Sequence, residues 1–157
     1  MTPQQPLKRH PALQPLSREH HFGLLLCWKI RTGLAKGVVP ERIKAYTDWF
    51  FEHYLTPHFE AEEKHVFPIL GNLDEHPLLR RALREHRRLR SLFQKNEDLP
   101  RQLSLIEEEL TAHIRFEERQ LFPAIEAMAT PGQLQLLEEF LSDTAFVEVW
   151  DDKFWEK

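Results

Sequence analysis

Apolar residues recur at three- and four-residue intervals along most of the chain, and no stretch alternates with period two. The spacing predicts a first helix over 17–36, with Ser17 as its N-cap and Gly37 ending it. At about 100° per residue, His20, Leu24, Cys27, Leu34 and Val38 share one face, opposite Arg18, Lys29 and Lys36. His21 falls at the edge of that stripe. Pro40 suits a first helical turn, and a second helix is expected over 41–70. Its inner face carries Phe51, Tyr54, Leu55, His58, Glu62 and Ile69, and Pro57 predicts a kink or break. A third helix over 75–95 turns Leu79, Ala82, Leu83, His86, Leu89 and Phe93 inward. A fourth over 100–128 does the same with Ile106, Leu110, His113, Glu117 and Ala124. Pro131-Gly132 interrupts, and 133–141 reads as a short fifth helix.

Four long amphipathic helices with short connections predict an all-α fold, an antiparallel up-down four-helix bundle over 17–128. Residues 1–16, with prolines at 3, 6, 11 and 15, read as a mobile arm. Residues 129–157 read as the short helix and an aromatic tail containing Phe146, Trp150, Phe154 and Trp155.

Two segments share one pattern of polar residues. His58-Phe59-Glu60-Ala61-Glu62-Glu63-Lys64-His65-Val66-Phe67-Pro68 and His113-Ile114-Arg115-Phe116-Glu117-Glu118-Arg119-Gln120-Leu121-Phe122-Pro123 both place Glu-Glu and Phe-Pro at fixed distances after His. Each is preceded upstream by Arg-Glu-His, at 18–20 and 84–86. Residues four apart stack on one helix face, so each His-x-x-x-Glu offers a nitrogen and a carboxylate to one point. With His20 and His86 these make six ligands, His20, His58, Glu62, His86, His113 and Glu117, for a binuclear metal site. Nitrogen and oxygen donors without thiolate favour iron or manganese over structural zinc. The repeat assigns His20 and His58 to one metal and His86 and His113 to the other, with both glutamates bridging. A sixth position on each is then open to small anions such as azide. His21, Tyr54, His65 and Arg90 are candidates to flank the ligands, and a small rotation of the first helix would exchange His21 for His20. Glu63, Glu118 and the Phe-Pro pairs are expected to point away from the metal. So are Arg80, Arg81, Arg84, Arg87 and Arg88, as a solvated helix back.

Composition narrows the function. At 157 residues with eleven Phe and four Trp, the chain can bury a core without staples. Its net charge of −4 gives no reason to expect nucleic acid, and its one cysteine, Cys27, excludes an intrachain disulfide. No apolar run is long enough for a membrane span or a signal peptide. No glycine pattern cradles phosphate. A cytoplasmic location is the expectation.

These residues resemble the hemerythrin-like family, in its His-His-Glu cation-binding branch, over about residues 17–128. The resemblance implies a four-helix bundle around two iron ions, bridged by two carboxylates and an oxo or hydroxo group, with manganese or zinc as substitutes. It assigns the same six ligands. Oxygen carriers of the family have a second His four residues after the third-helix ligand; here that residue is Arg90, which argues against reversible oxygen transport. The related iron–sulfur repair proteins carry a Cys-Cys motif, which this chain lacks. The leading expectation is a di-iron protein that binds or senses dioxygen, nitric oxide or peroxide, and no substrate pocket marks it as an enzyme. Iron buffering, iron delivery or iron-centre repair, and a metal-stabilised interaction module, are the alternatives.

Overall fold

A computed structural model describes residues 9–141 and 147–156, and these form helices and no strand. Helix α1 spans Gln14–Ala35 and α2 Pro40–Phe50. The second run continues through a π turn (Phe51–Leu55), α3 (Thr56–Ala61), another π turn (Glu62–Val66) and a 3₁₀ turn (Phe67–Leu70). Helix α4 spans Pro77–Gln94. Helix α5 (Leu99–Phe116) passes through a third π turn (Glu117–Leu121) into α6 (Phe122–Met128), and α7 covers Pro131–Phe140. The longest shared face lies between α1 and α5; α4 packs on α5, and α2 on α1 and α5. No helix among the described residues is long and apolar enough to cross a membrane.

The kink expected at Pro57 takes a form that recurs. Pro57, Pro68 and Pro123 each stand two residues beyond the end of a π turn. Proline lacks an N–H, and its ring crowds the carbonyl four residues earlier. Those carbonyls belong to His53, Lys64 and Arg119, each inside the widened turn, which moves them aside without breaking the helix.

Helix α1 starts earlier than Ser17 suggests. His10 to Leu13 form a turn, Pro15 occupies the first helical turn, and Ala12, Leu13 and Leu16 are buried. The expected mobile arm therefore does not include 9–16, while residues 1–8 lie outside those described. The missed signal was a longer repeat: His10-Pro11 precedes His20 by the same interval as His76-Pro77 precedes His86. Both histidines accept the N–H two residues on, Ala12 at 3.0 Å and Leu78 at 3.2 Å; His76 thereby caps α4, and His10 opens the turn that leads into α1.

The buried face of α1 is also turned from the expected one. Leu24 is 39% exposed, whereas Gly23, Leu26, Lys29, Ile30 and Gly33 are buried. Glycine lets backbones approach where a leucine cannot. A Cβ at Gly23 would lie 2.9 Å from Ile114 Cδ1; at Gly33 it would meet Ile43 Cδ1 at 2.8 Å and the Phe154 ring at 2.9 Å. The tail thus seats on α1. Tyr54 donates to the Val147 carbonyl at 2.5 Å, Arg42 pairs with Asp152 at 2.6 Å, and Lys29 joins Tyr46 (2.9 Å) and Glu148 (2.5 Å). Phe146 lies outside the described residues.

Alanine at either glycine gains about 1 kcal/mol of helix propensity, against roughly 1–3 kcal/mol for overpacking. Ile114 ends in a flexible methyl, whereas the Phe154 ring cannot fold aside. Gly23→Ala should therefore be near neutral in urea unfolding, and Gly33→Ala should lose about 1–2 kcal/mol. An unchanged midpoint for Gly33→Ala would show that Phe154 is not seated there.

Candidate metal centre

Four histidines and two glutamates converge in the interior. His20, His58, Glu62, His86, His113 and Glu117 are all 5% exposed or less, and both glutamates are fully buried. His20 comes from α1, His58 from α3, His86 from α4 and His113 from α5. Glu62 and Glu117 are the opening residues of π turns, one helical turn beyond His58 and His113. Two groups form, His20–His58–Glu62–Glu117 and Glu62–His86–His113–Glu117, each with ligand atoms within 4.8 Å of one another. Both glutamates belong to both groups.

The Nε2 atoms face the carboxylates. His58 and His86 stand 3.3 and 3.2 Å from Glu62 Oε1, and His113 stands 3.4 Å from Glu117 Oε1. Only His20 completes a hydrogen bond, at 2.9 Å to Glu117 Oε1. Nε2 of His58, His86 and His113, both oxygens of Glu62, and Oε2 of Glu117 are buried without a hydrogen-bond partner. Orphaned buried polar atoms are expensive, and six divided between two adjoining groups fit cations that accept their lone pairs.

The outer nitrogens show what periodicity concealed. Each Nδ1 meets a glutamate: His20 with Glu118 at 2.7 Å, His58 with Glu19 at 3.4 Å, His86 with Glu63 at 2.6 Å and His113 with Glu85 at 2.7 Å. Such a carboxylate accepts the Nδ1–H hydrogen bond, which keeps the proton on Nδ1 and leaves the Nε2 lone pair free for a metal. Glu63 and Glu118, expected to be solvated, instead stand half-buried at helix seams. From there a glutamate needs only to reach round to the back of a neighbour's imidazole. The signal was present: Glu precedes His in both Arg-Glu-His triplets and follows Glu in both doublets.

The Phe-Pro pairs also depart from expectation. Phe67 and Phe122 are fully buried; Phe122 stacks on His20 at 5.3 Å, and Phe67 lies 5.5 Å from His86. The extra residue of each π turn rotates them onto the core side. Phe59 covers the other face of the site, stacked on His86 at 4.0 Å.

The flanking candidates separate. His21 is exposed beside Phe22, His65 stacks on Phe140 of α7, and Tyr54 anchors the tail, so none reaches the centre. Arg90 binds Glu63 at 3.0 Å and so touches the centre through His86's carboxylate. Arg81 leaves the solvated set, pairing with Glu85 at 2.9 Å over the Phe116 ring.

Electrostatics follow from this packing in the metal-free protein. Burial pushes the His58 imidazolium down, but the Glu62 and Glu19 carboxylates outweigh it and hold the pKa well above its usual value. His86 behaves alike, with Glu117, Glu62 and Glu63 raising it to about 10. Burial pushes Glu117 up, yet the imidazoles of His113, His20 and His86 take it well below the carboxylate range. Cys27 is different: burial raises its thiol to about 11. At pH 8 it should react with iodoacetamide far more slowly in native than in unfolded protein. Equal rates would mean that α1 opens readily.

A family model described as Hemerythrin HHE cation binding domain matches residues 12–125. No curated protein and no solved structure gave a match.

Proposed function

We propose, from the premise that the chain belongs to the hemerythrin HHE cation-binding family, that its helices form a four-helix bundle holding two metal ions, iron by preference. His20 and His58 would hold one, His86 and His113 the other, with Glu62 and Glu117 shared. The observation that carries this is the set of six buried nitrogen and oxygen atoms without partners, divided into two groups around common carboxylates. Iron bound there would supply one-electron redox chemistry and coordination sites for dioxygen, nitric oxide, peroxide or azide-like anions.

The chain's own groups do the rest. Glu118, Glu19, Glu63 and Glu85 hold the imidazoles in one tautomer and aim Nε2 inward. Phe59, Phe67 and Phe122 exclude water from their faces. This burial suits a retained centre that binds or senses a small molecule better than one that delivers iron. Cys27 as a lone buried thiol fits a cytoplasmic location.

Elemental analysis of protein made with iron available should give two iron atoms per chain. His20→Ala should lose metal and His21→Ala should keep it. Exposure of the reduced protein to nitric oxide, and of the oxidised protein to azide, should each change the optical spectrum. One tightly held zinc and no iron would overturn the reading.

A further inference from the structure

Behind three of the four imidazoles the same stack appears: arginine on the outer carboxylate, and arginine over a phenylalanine ring near that imidazole. Arg90 Nη2 lies 3.0 Å from Glu63, and its guanidinium is 5.5 Å from the Phe59 ring, which stacks on His86. Arg81 pairs with Glu85 and lies 4.0 Å from the Phe116 ring, beside His113. Arg9 completes the set for His20. Its Nη2 donates to the Glu118 carbonyl at 2.7 Å and lies 3.5 Å from Glu118 Oε1; Nη1 binds Glu126 at 2.9 Å; the guanidinium is 5.5 Å from the Phe122 ring, stacked on His20. The Arg9 side chain is 9% exposed against 31% for Arg90.

The repeat does not generate these arginines. Counting from His20 and His86, Arg90 corresponds to Leu24, Arg9 to Glu75 and Arg81 to Pro15. One geometry is reached from unrelated positions, and Arg9 lies before the family match begins at residue 12.

We propose that Arg9, Arg81 and Arg90 are positioning residues that set the donor strength of the imidazoles, which makes the segment before α1 part of the metal centre. A carboxylate neutralised by a guanidinium pulls less on the Nδ1 proton, so Nε2 donates less charge to a metal. Removing the arginine strengthens that pull and deletes a positive charge, and both effects favour the oxidised metal. Arg9 acts on the His20–His58 position, and Arg81 and Arg90 on the other.

The inference rests on the two-metal reading, and the experiment separates their failures. Protein loaded anaerobically with ferrous iron is oxidised and reduced stepwise at an electrode, one electron per iron, followed optically. Arg9→Gln should lower the potential of one step more than the other, and Arg90→Gln should reverse that preference. Arg9→Lys, which keeps the charge but not the fork, should shift the same step in the same direction by less; it carries the test if the glutamine variant fails to fold. Wild-type potentials in Arg9→Gln, or equal shifts of both steps, with two irons bound, would overturn this inference alone. Failure of wild-type protein to take up iron would overturn both.

Discussion

Replacing Glu117 by alanine should empty both metal positions, while replacing His58 should empty only one. Glu117 belongs to both four-residue groups and His58 to a single one. The variant should also be destabilised without metal. Glu117 takes a hydrogen bond from His20 and lies within ion-pair distance of His86 and His113. Breaking a buried charge pair by removing one partner costs about 3–5 kcal/mol, and here three imidazoles each lose one of their carboxylates. Metal analysis beside thermal unfolding of the metal-free forms reads both effects. Retention of one full equivalent of metal by Glu117→Ala would show that the carboxylate serves one ion only.

Metal-free and metal-loaded protein should respond oppositely to pH. In the metal-free form His20, His58, His86 and His113 have raised pKa values, so their folded state binds protons more tightly than the unfolded one. That contribution is complete below the unfolded value of about 6.5, and is lost as pH rises through the folded values, about 10 for His86. Glu117, depressed, contributes above its unfolded value and loses that contribution as pH falls through its folded one. The metal-free protein should therefore melt at lower temperature as pH climbs from 6.5 towards 10. Metal needs neutral imidazoles, so loading releases protons and strengthens over the same interval. The gap between the two melting temperatures should widen with pH. A constant gap would place the metal away from these histidines.

The helices and the inner six residues were legible because both follow simple spacing. His58 with Glu62 and His113 with Glu117 obey the four-residue rule, and His20 and His86 lie on apolar faces. What escaped lies where that rule stops. Hydrophobicity ranks Leu24 above Gly23, yet the approach of α5 requires no side chain at all. Phe67 and Phe122 fall on the outer side of an ideal helix, and only the π turns bring them onto the core side. Glu63 and Glu118 face outward on their own helices, but a seam position serves the neighbouring helix. Arg9 could be placed only by tertiary structure, since its partners Glu118 and Glu126 are more than a hundred residues away.

The widened turns give chain length a meaning separate from chain identity. A π turn is an α-helix that has absorbed one additional residue, so deleting one would restore a regular helix and leave everything beyond it facing as before, whereas straightening the turn at unchanged length would swing it by about 100°. Straightening the turn that leads from Glu62 without shortening it would carry Phe67 off His86, and straightening the one from Glu117 would carry Phe122 off His20. Lys64 and Arg119 sit exposed inside these turns. They are spacers: what they supply is the backbone length that lets each turn widen around Pro68 or Pro123, and almost any residue could stand there.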